Sequence, residues 1–392
     1  MFDLSAVQSS LADFQLDGWL LYDFRGINVL AGRVLDIAAD QIGSRRLFYF
    51  VPASGEPKKL VHRIEAGALD HLPGEKTVYL KWQELEKGVK QLLGAAKTVA
   101  MEYSPRNANP YVSRVDAGTI ELVRGFGVEV VSSGDLVQRF EATLSDEQWE
   151  SHFEADKHTQ AAFQRAWIFI RDQVKTNGSV SEYAVQQEIM RHFDENGMTT
   201  YHPPIVGVGP NSGDPHYAPC EKSCASIREN DFVLVDLWAK IDRPNAIYSD
   251  LTKVAFVGNS VPSKYDDIFK IVAAARDAAI SRVRDAFSTA ETVQGWQVDQ
   301  VTRDVIVDAG YGEYFVHRTG HSIGQETHGN GANMDNLETR EERTILPRTC
   351  FSIEPGIYMP EFGVRSEVNV LVGKNGEVHV TGGLQNSVLA LF

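Results

Sequence analysis

The run VLVDLWA sets an acid, Asp236, among residues that otherwise read as a buried strand. An unpaired carboxylate is costly to bury, so a chain that folds this segment inward must supply it with a partner. Three further acids repeat the pattern: Asp250 between IYS and LTKVAFV, Glu354 in FSIEPGIY, and Glu367 in GVRSEVNVLV. Any one alone reads most simply as an acid on the solvent face of an amphipathic strand. Together they shift the balance, because the same region holds HRTGHSIGQETHG, residues 317–329, with histidines at 317, 321 and 328. Divalent cations would satisfy such a set at once: four carboxylates and one imidazole carry a charge of about −4, which two such ions balance. Hard oxygen donors with one nitrogen suit Mn²⁺, Co²⁺ or Zn²⁺ better than a thiolate-loving ion. His317 and His321 have helical spacing, but the intervening Arg-Thr-Gly and Gly324 disfavour a helix, and the glutamate of HExxH is absent.

Composition narrows the partners. A formal charge of −15 with no basic stripe to offset it argues against nucleic acid. No apolar segment is long enough to span a bilayer, and MFDLSAVQSSLADFQ lacks the basic start and apolar run of a signal peptide. Three cysteines, Cys220, Cys224 and Cys350, make an odd count that favours free thiols in a reducing compartment, the cytoplasm being the simplest. Cys220-x3-Cys224 lacks the second pair that a zinc site requires.

At 392 residues the chain is long enough for two domains. In residues 1–140, β-type runs (WLLYD, RLFYFV, TVYLKW, TVAMEY, VEVV) alternate with amphipathic stretches at 83–95 and 115–124, the alternation of an α/β domain. No catalytic constellation lies there. Residues 145–392 read as α+β. Ser145-Asp-Glu-Gln predicts a capping box opening a long helix that stops at Asn177-Gly178, and a second helix starts near Ser179 with Glu182 at capping-box spacing. The segments DFVLVDLWAKI and IYSDLTKVAFVG predict a hairpin around Asp242-Arg-Pro-Asn245, helical periodicity spans 263–287 and 292–309, and strand-rich runs close the chain.

Asp236, the S-D-L-T around Asp250, HRTGHSIG, SIEPGIY and G-V-R-S-E, in this order, resemble the metallopeptidases of the pita-bread fold: methionine aminopeptidase, aminopeptidase P and, closest, prolidase. The resemblance covers the second domain, and a smaller α/β domain in front is typical of the aminopeptidase P and prolidase branch. It implies two metal ions, Mn²⁺ before Co²⁺ or Zn²⁺. Asp236 and Asp250 would be first-metal and bridging ligands, His321 and Glu354 would complete the second metal, and Glu367 would bridge. Glu354 would also shuttle the proton. His216 and His328 would stabilise the tetrahedral intermediate, and His317 would line the pocket. Arg365 and Tyr358 match positions that pair with the carboxylates and approach the substrate. Arg340, with Arg343 as the near alternative, falls where prolidases bind the free carboxylate that follows proline.

The expected activity is hydrolysis of the bond before proline, in Xaa-Pro dipeptides or, alternatively, at the N-terminus of longer peptides. The expected assembly is a homodimer. A metal-free or non-catalytic relative of the fold is the alternative of a different class. The sequence departs from the pattern at Trp238, where relatives often have glycine, and at His202, where aminopeptidase P relatives can place a tyrosine.

Overall fold

The computed structural model describes residues 2–38, 41 and 43–392, and the chain divides between Glu141 and Ala142 into two compact units. The first is a mixed six-stranded sheet of β1 (Gly18–Asp23), β2 (Leu47–Pro52), β3 (Lys58–His62), β4 (Glu75–Tyr79), β5 (Thr98–Met101) and β6 (Glu129–Ser132), in the order β4-β3-β2-β1-β5-β6. GWLLYD is apolar at nearly every position because β1 is covered on both faces. Trp19 and Leu21 pack with Leu11, Ala31 and Val137, while Leu20 and Tyr22 pack with Val89 and Ile120 from helices on the other side. Strand β3, KKLVH, escapes a search for apolar runs because two lysines open it. Lys59 is nonetheless buried, its ammonium donating to the carbonyls of Leu69 and Leu72 at 3.0 and 2.6 Å. TVYLKW is a strand only as far as Tyr79, since Trp82 already begins the helix Trp82–Leu93 and Glu84 caps the turn between them.

The second unit opens with α1 (Asp146–Asn177), capped by the Ser145–Gln148 box and ended by Gly178 in the left-handed conformation, and α2 (Glu182–Glu195). Strand β7 (Ile205–Val208) and β9 (Ser249–Phe256) both pair antiparallel with β8 (Phe232–Ile241). Helices α3 (Ser263–Ser288) and α4 (Gly295–Asp308) follow. A second sheet then runs β10 (Ser322–Ile323), β11 (Cys350–Ile353), β14 (Val368–Val372) and β15 (Val378–Thr381), beside a hairpin of β12 (Gly356–Tyr358) and β13 (Gly363–Arg365). No helix among the described residues is long and apolar enough to cross a membrane.

Strand periodicity sorts the β8 side chains. Val233, Val235 and Leu237 face a core shared with Phe163 and Ile170 of α1 and Ile189 of α2, whereas Leu234 packs with Val254, Phe256 and Val272 of α3. Asp236 falls on the second face. Across the hairpin Asp236 stands opposite Thr252 and Trp238 opposite Asp250, so the two aspartates are diagonal neighbours on one face. The tip, residues 242–248, joins the two strands, with Asn245 at φ 61° turning the chain.

Glu182 caps no helix; Ser181 does, accepting from Ala184 N–H at 3.1 Å. Fully buried, the Glu182 carboxylate instead accepts from Val208 N–H (2.8 Å), Asn211 Nδ2 (3.0 and 3.1 Å), Tyr217 OH (2.6 Å) and Ala225 N–H (2.7 Å). It thereby ties down the loop that carries His216. Glu182→Ala strands these donors and should lower stability by roughly 3 kcal/mol, read as a shift of the urea midpoint. A shift below about 1 kcal/mol would remove Glu182 as the anchor.

Candidate metal and active site

The two β-systems of the second unit meet at four acids. On the first sheet, Asp250 N–H donates to Asn369 Oδ1 (3.0 Å), and Asn369 Nδ2 returns a bond to the Asp250 carbonyl (2.6 Å), clamping β9 to β14. On the second, Ile353 pairs with Val368; one step further along that register brings Glu354 level with Glu367. His321 comes in from the end of β10, its N–H bound to Ser352 Oγ at 2.9 Å. Gly320 permits this approach, because a Cβ there would lie 1.9 Å from the Ser352 carbonyl oxygen.

His321 Nε2 stands 3.4 Å from Asp250 Oδ2 and 3.3 Å from Glu354 Oε1. Donor atoms of Asp250, His321 and Glu367 all lie within 4.8 Å of one another, a grouping able to hold one cation. Asp236 and Glu354 adjoin this trio rather than belonging to it. One Asp236 oxygen accepts from Arg365 Nη2, while the other, Oδ1, is buried with no hydrogen-bond partner. An orphaned carboxylate oxygen facing a histidine-acid cradle is what a site made for a cation looks like when only protein atoms are counted. The donor set therefore fits divalent metal.

Electrostatics agrees. Burial, reinforced by Asp250 and Glu354, pushes Asp236 up to about 7 against the pull of Arg365. Asp250 and Glu367 are likewise driven well above the carboxylate range, by burial first and neighbouring acids second. Glu354 is the exception. Burial raises it, but His321, His317, Arg365 and Arg318 outweigh that and hold it below its ordinary value.

Polar residues within the strands complete the frame. Thr252 donates to Glu367 Oε2 (2.7 Å) and accepts from Arg365 Nε (2.8 Å). Arg365 also donates to Tyr358 OH at 3.1 Å, and that phenol meets His317 Nε2 at 2.6 Å. The other His317 nitrogen lies 2.6 Å from the Arg318 carbonyl. Arg365, Tyr358 and His317 thus form a linked chain behind Asp236. Arg365 pairs with the carboxylates and, like His317, lines the cleft, while every Arg365 nitrogen and both His317 nitrogens are engaged by protein groups. Behind them, the buried Arg276 of α3 donates to Ser366 Oγ at 2.7 Å, fixing the turn between Arg365 and Glu367.

All five acid and imidazole donors open onto one cleft of about 430 Å³, which His216, His317 and His328 also line. The His328 ring stands edge-on to His321, with centroids 4.3 Å apart, and that neighbour, together with burial, holds it down to about 3, leaving a neutral imidazole. Trp238 forms part of the wall, with its buried indole N–H unpartnered. His202 does not line the cleft, but its neighbour Tyr201 does. Tyr201 feels the charge of Asp250, whereas His202 stacks on the Trp238 ring with centroids 6.2 Å apart. Arg340 does not reach the cleft: it is exposed, pairs with Glu342 at 3.3 Å, and lies 4.8 Å over the Trp296 ring. Its alternative Arg343 is buried against Glu341 at 2.6 Å. The cleft has instead an arginine that sequence reasoning passed over, Arg318. Its only signal was its place between His317 and His321.

Fold and site together define a pita-bread-type protein built around a buried acid-imidazole metal cradle. The metallopeptidase family M24 model matches residues 150–374, more than half of the chain, and the protein belongs to that family. It is 32% identical over 223 residues to a Xaa-Pro dipeptidase of Lactobacillus delbrueckii subsp. lactis, covering 57% of this chain and 55% of that protein. It is 36% identical over 177 residues to a probable dipeptidase PepE of Mycobacterium tuberculosis, covering 45% and 43%. The chain thus spans about half the length of the curated relatives it matches. The crystal structure of dipeptidase PepE from Mycobacterium ulcerans superposes with a TM-score of 0.68 at 24% identity, covering 99% of this chain and 96% of that one, and shows the same fold.

Two outcomes follow from the cradle. Asp236, Asp250 and Glu367 have folded pKa values above their unfolded ones, so their contribution to stability is full below about pH 4 and is lost as pH rises through the folded values. Metal-free protein should therefore melt lower at about pH 7.5 than at about pH 5, and added Mn²⁺ should raise the midpoint more at the higher pH. A metal-free midpoint that rises across this range would contradict the cradle. In metal analysis, His321→Ala should lose bound ion while His328→Ala keeps it; equal loss in both would make His328 a ligand.

Proposed function

We propose that the protein is a dinuclear metal-dependent peptidase that hydrolyses the bond before proline, in Xaa-Pro dipeptides. The carrying observation is His321 Nε2 set between Asp250 and Glu354 at the floor of the cleft. Asp236, Asp250, His321, Glu354 and Glu367 would hold the two ions, Mn²⁺ before Co²⁺ or Zn²⁺. What such ions supply when bound is polarisation of the scissile carbonyl and acidification of a water.

The protein's own groups account for the proton traffic and the orientation. Glu354, the one acid of the set held ionised, takes a proton from the attacking water and passes it to the departing proline nitrogen. An amide anion is too basic to depart, so the C–N bond breaks only as that nitrogen is protonated and proline leaves as the neutral amine. Neutral His328, facing the cleft, donates to the oxygen that gains charge as the carbonyl becomes tetrahedral, and His216 closes the same side. The Arg365–Tyr358–His317 chain keeps Asp236 in one orientation.

The displacement of Arg340 favours a second reading, removal of the N-terminal residue from longer Xaa-Pro peptides, because the expected carboxylate-binding group is absent from the cleft. Turnover of Ala-Pro against Ala-Pro-Ala with Mn²⁺ separates the two; equal or better cleavage of the tripeptide would sink the dipeptidase reading. The free thiols Cys220, Cys224 and Cys350 support a cytoplasmic address, and a homodimer, measurable by light scattering, is proposed with it. Glu354→Gln should lower kcat by roughly a hundredfold or more while the protein stays folded by circular dichroism. Near-full activity in that variant would take Glu354 out of the mechanism.

A further inference from the structure

Cys220 and Cys224 take no part in the reaction derived above, yet the fold places them together. The Cys220 carbonyl accepts from Ser223 N–H at 3.0 Å and from Cys224 N–H at 2.9 Å, so the two residues close a single helical turn. Positions i and i+4 of such a turn stand on one side, with Cβ atoms about 5–6 Å apart. Both thiols are free, Cys220 exposed and Cys224 half-buried, whereas Cys350 is buried.

The turn belongs to a loop closed at its base on a single oxygen. Glu182 Oε2 accepts from Tyr217 OH (2.6 Å) at one end and from Ala225 N–H (2.7 Å) at the other, and the Ala225 carbonyl accepts from Glu182 N–H at 3.1 Å. Cys224 precedes Ala225 directly, and His216 precedes Tyr217. His216 lines the cleft, but no hydrogen bond among the described residues holds its ring. Its place is set through the backbone, by its N–H on Asp214 Oδ1 (3.0 Å) and by the anchored Tyr217. A contraction of the 220–224 turn therefore pulls on the base that positions this histidine. Of the two sulfurs, Cys220 is the better nucleophile, because hydrogen bonds from Lys222 N–H and the Ser223 hydroxyl hold its thiol below the ordinary range.

We infer that Cys220 and Cys224 form a reversible dithiol–disulfide site, oxidised by low-molecular-weight disulfides, whose closure displaces His216 and lowers turnover. Its catalytic consequence rests on the peptidase reading above. The Cys220 thiolate attacks one sulfur of the small disulfide and expels the other as a thiolate; Cys224 then attacks the Cys220 sulfur of the mixed disulfide and expels the second. The two thiol protons end on the two departing small thiols, so the protein loses the two electrons that the small disulfide gains. A disulfide draws its Cβ atoms to about 3.8 Å, so closing the bond contracts the turn by about 1–2 Å. A reducing compartment keeps the pair as thiols until the load of oxidant rises.

The test exposes Mn²⁺-loaded protein to glutathione disulfide and reads thiol count, intact mass and kcat on Ala-Pro. The wild type should lose both thiols without retaining glutathione, and trypsin, which cuts at Lys222 between them, should release a linked pair of peptides. Its kcat should fall roughly tenfold or more with KM little changed, and return on reduction. Cys224→Ser should stop at the glutathione adduct, and Cys220→Ser should keep its kcat through the treatment. In Zn²⁺-loaded protein the His216 ring resonance, assigned with His216→Ala, should shift on oxidation and return on reduction. Thiols that stay free, or glutathione retained on the wild type, overturn the dithiol site. A bond that forms while kcat and the His216 resonance stay unchanged overturns its link to the cleft. Absence of turnover by the untreated protein overturns the peptidase reading instead, and the thiol count and the resonance still decide the inference.

Discussion

Burial in a medium of low polarity raises the proton affinity of Asp236, Asp250 and Glu367 inside the second unit, and the like charge of Glu354 adds to it at all three. Protein alone offsets the repulsion only in part. Arg365 satisfies one oxygen of Asp236, Thr252 one of Glu367, and Asp236 Oδ1 is left without a partner. Much of the surrounding structure serves to hold these acids in place: the Asn369–Asp250 clamp between sheets, the Ser352 bond to His321, and the Arg276 bond behind Ser366. A set of buried acids fixed this firmly is a set waiting for cations, and the metallopeptidase family to which the chain belongs gives that arrangement a purpose.

The cradle is also asymmetric. Glu354 alone is pulled down, because His321, His317, Arg365 and Arg318 outweigh its burial, while Asp236, Asp250 and Glu367 are pushed up. The same segment, residues 315–321, supplies both the candidate ligand His321 and the cation Arg318, and the Asp299–Arg303 pair holds its backbone. Tyr201 and Trp238 add aromatic surface to the cleft, Trp238 standing opposite Asp250 across the hairpin with its buried indole N–H unpartnered.

Much of this was legible in the sequence. Period-two patterning gave the hairpin, and acids inside apolar runs marked Asp236, Asp250, Glu354 and Glu367, because a buried charge is visible as a break in hydrophobicity. The capping box at Ser145 and the glycine stop at 178 appear where local chemistry requires them. Polar residues whose role depends on a distant partner were silent. Thr252 and Asn369 look like ordinary strand residues until β9 and β14 meet, and Glu182 resembles a cap residue until the loop at 208–225 folds over it.

What the sequence determined by itself is therefore the kind of chemistry: acids and imidazoles in number, at positions from which water would be excluded. What only the tertiary structure decided is the allocation of partners. Spacing pointed to Arg340 for the substrate, and the fold stacks it on Trp296 instead; Arg365 was matched to the carboxylates, and the fold decides that its partners are Asp236, Thr252 and Tyr358; Arg318, unmarked in the chain, stands at the cleft. The reason is physical. Burial is written in a local pattern of hydrophobicity, whereas the partner of a charged side chain is set by which distant strand arrives beside it.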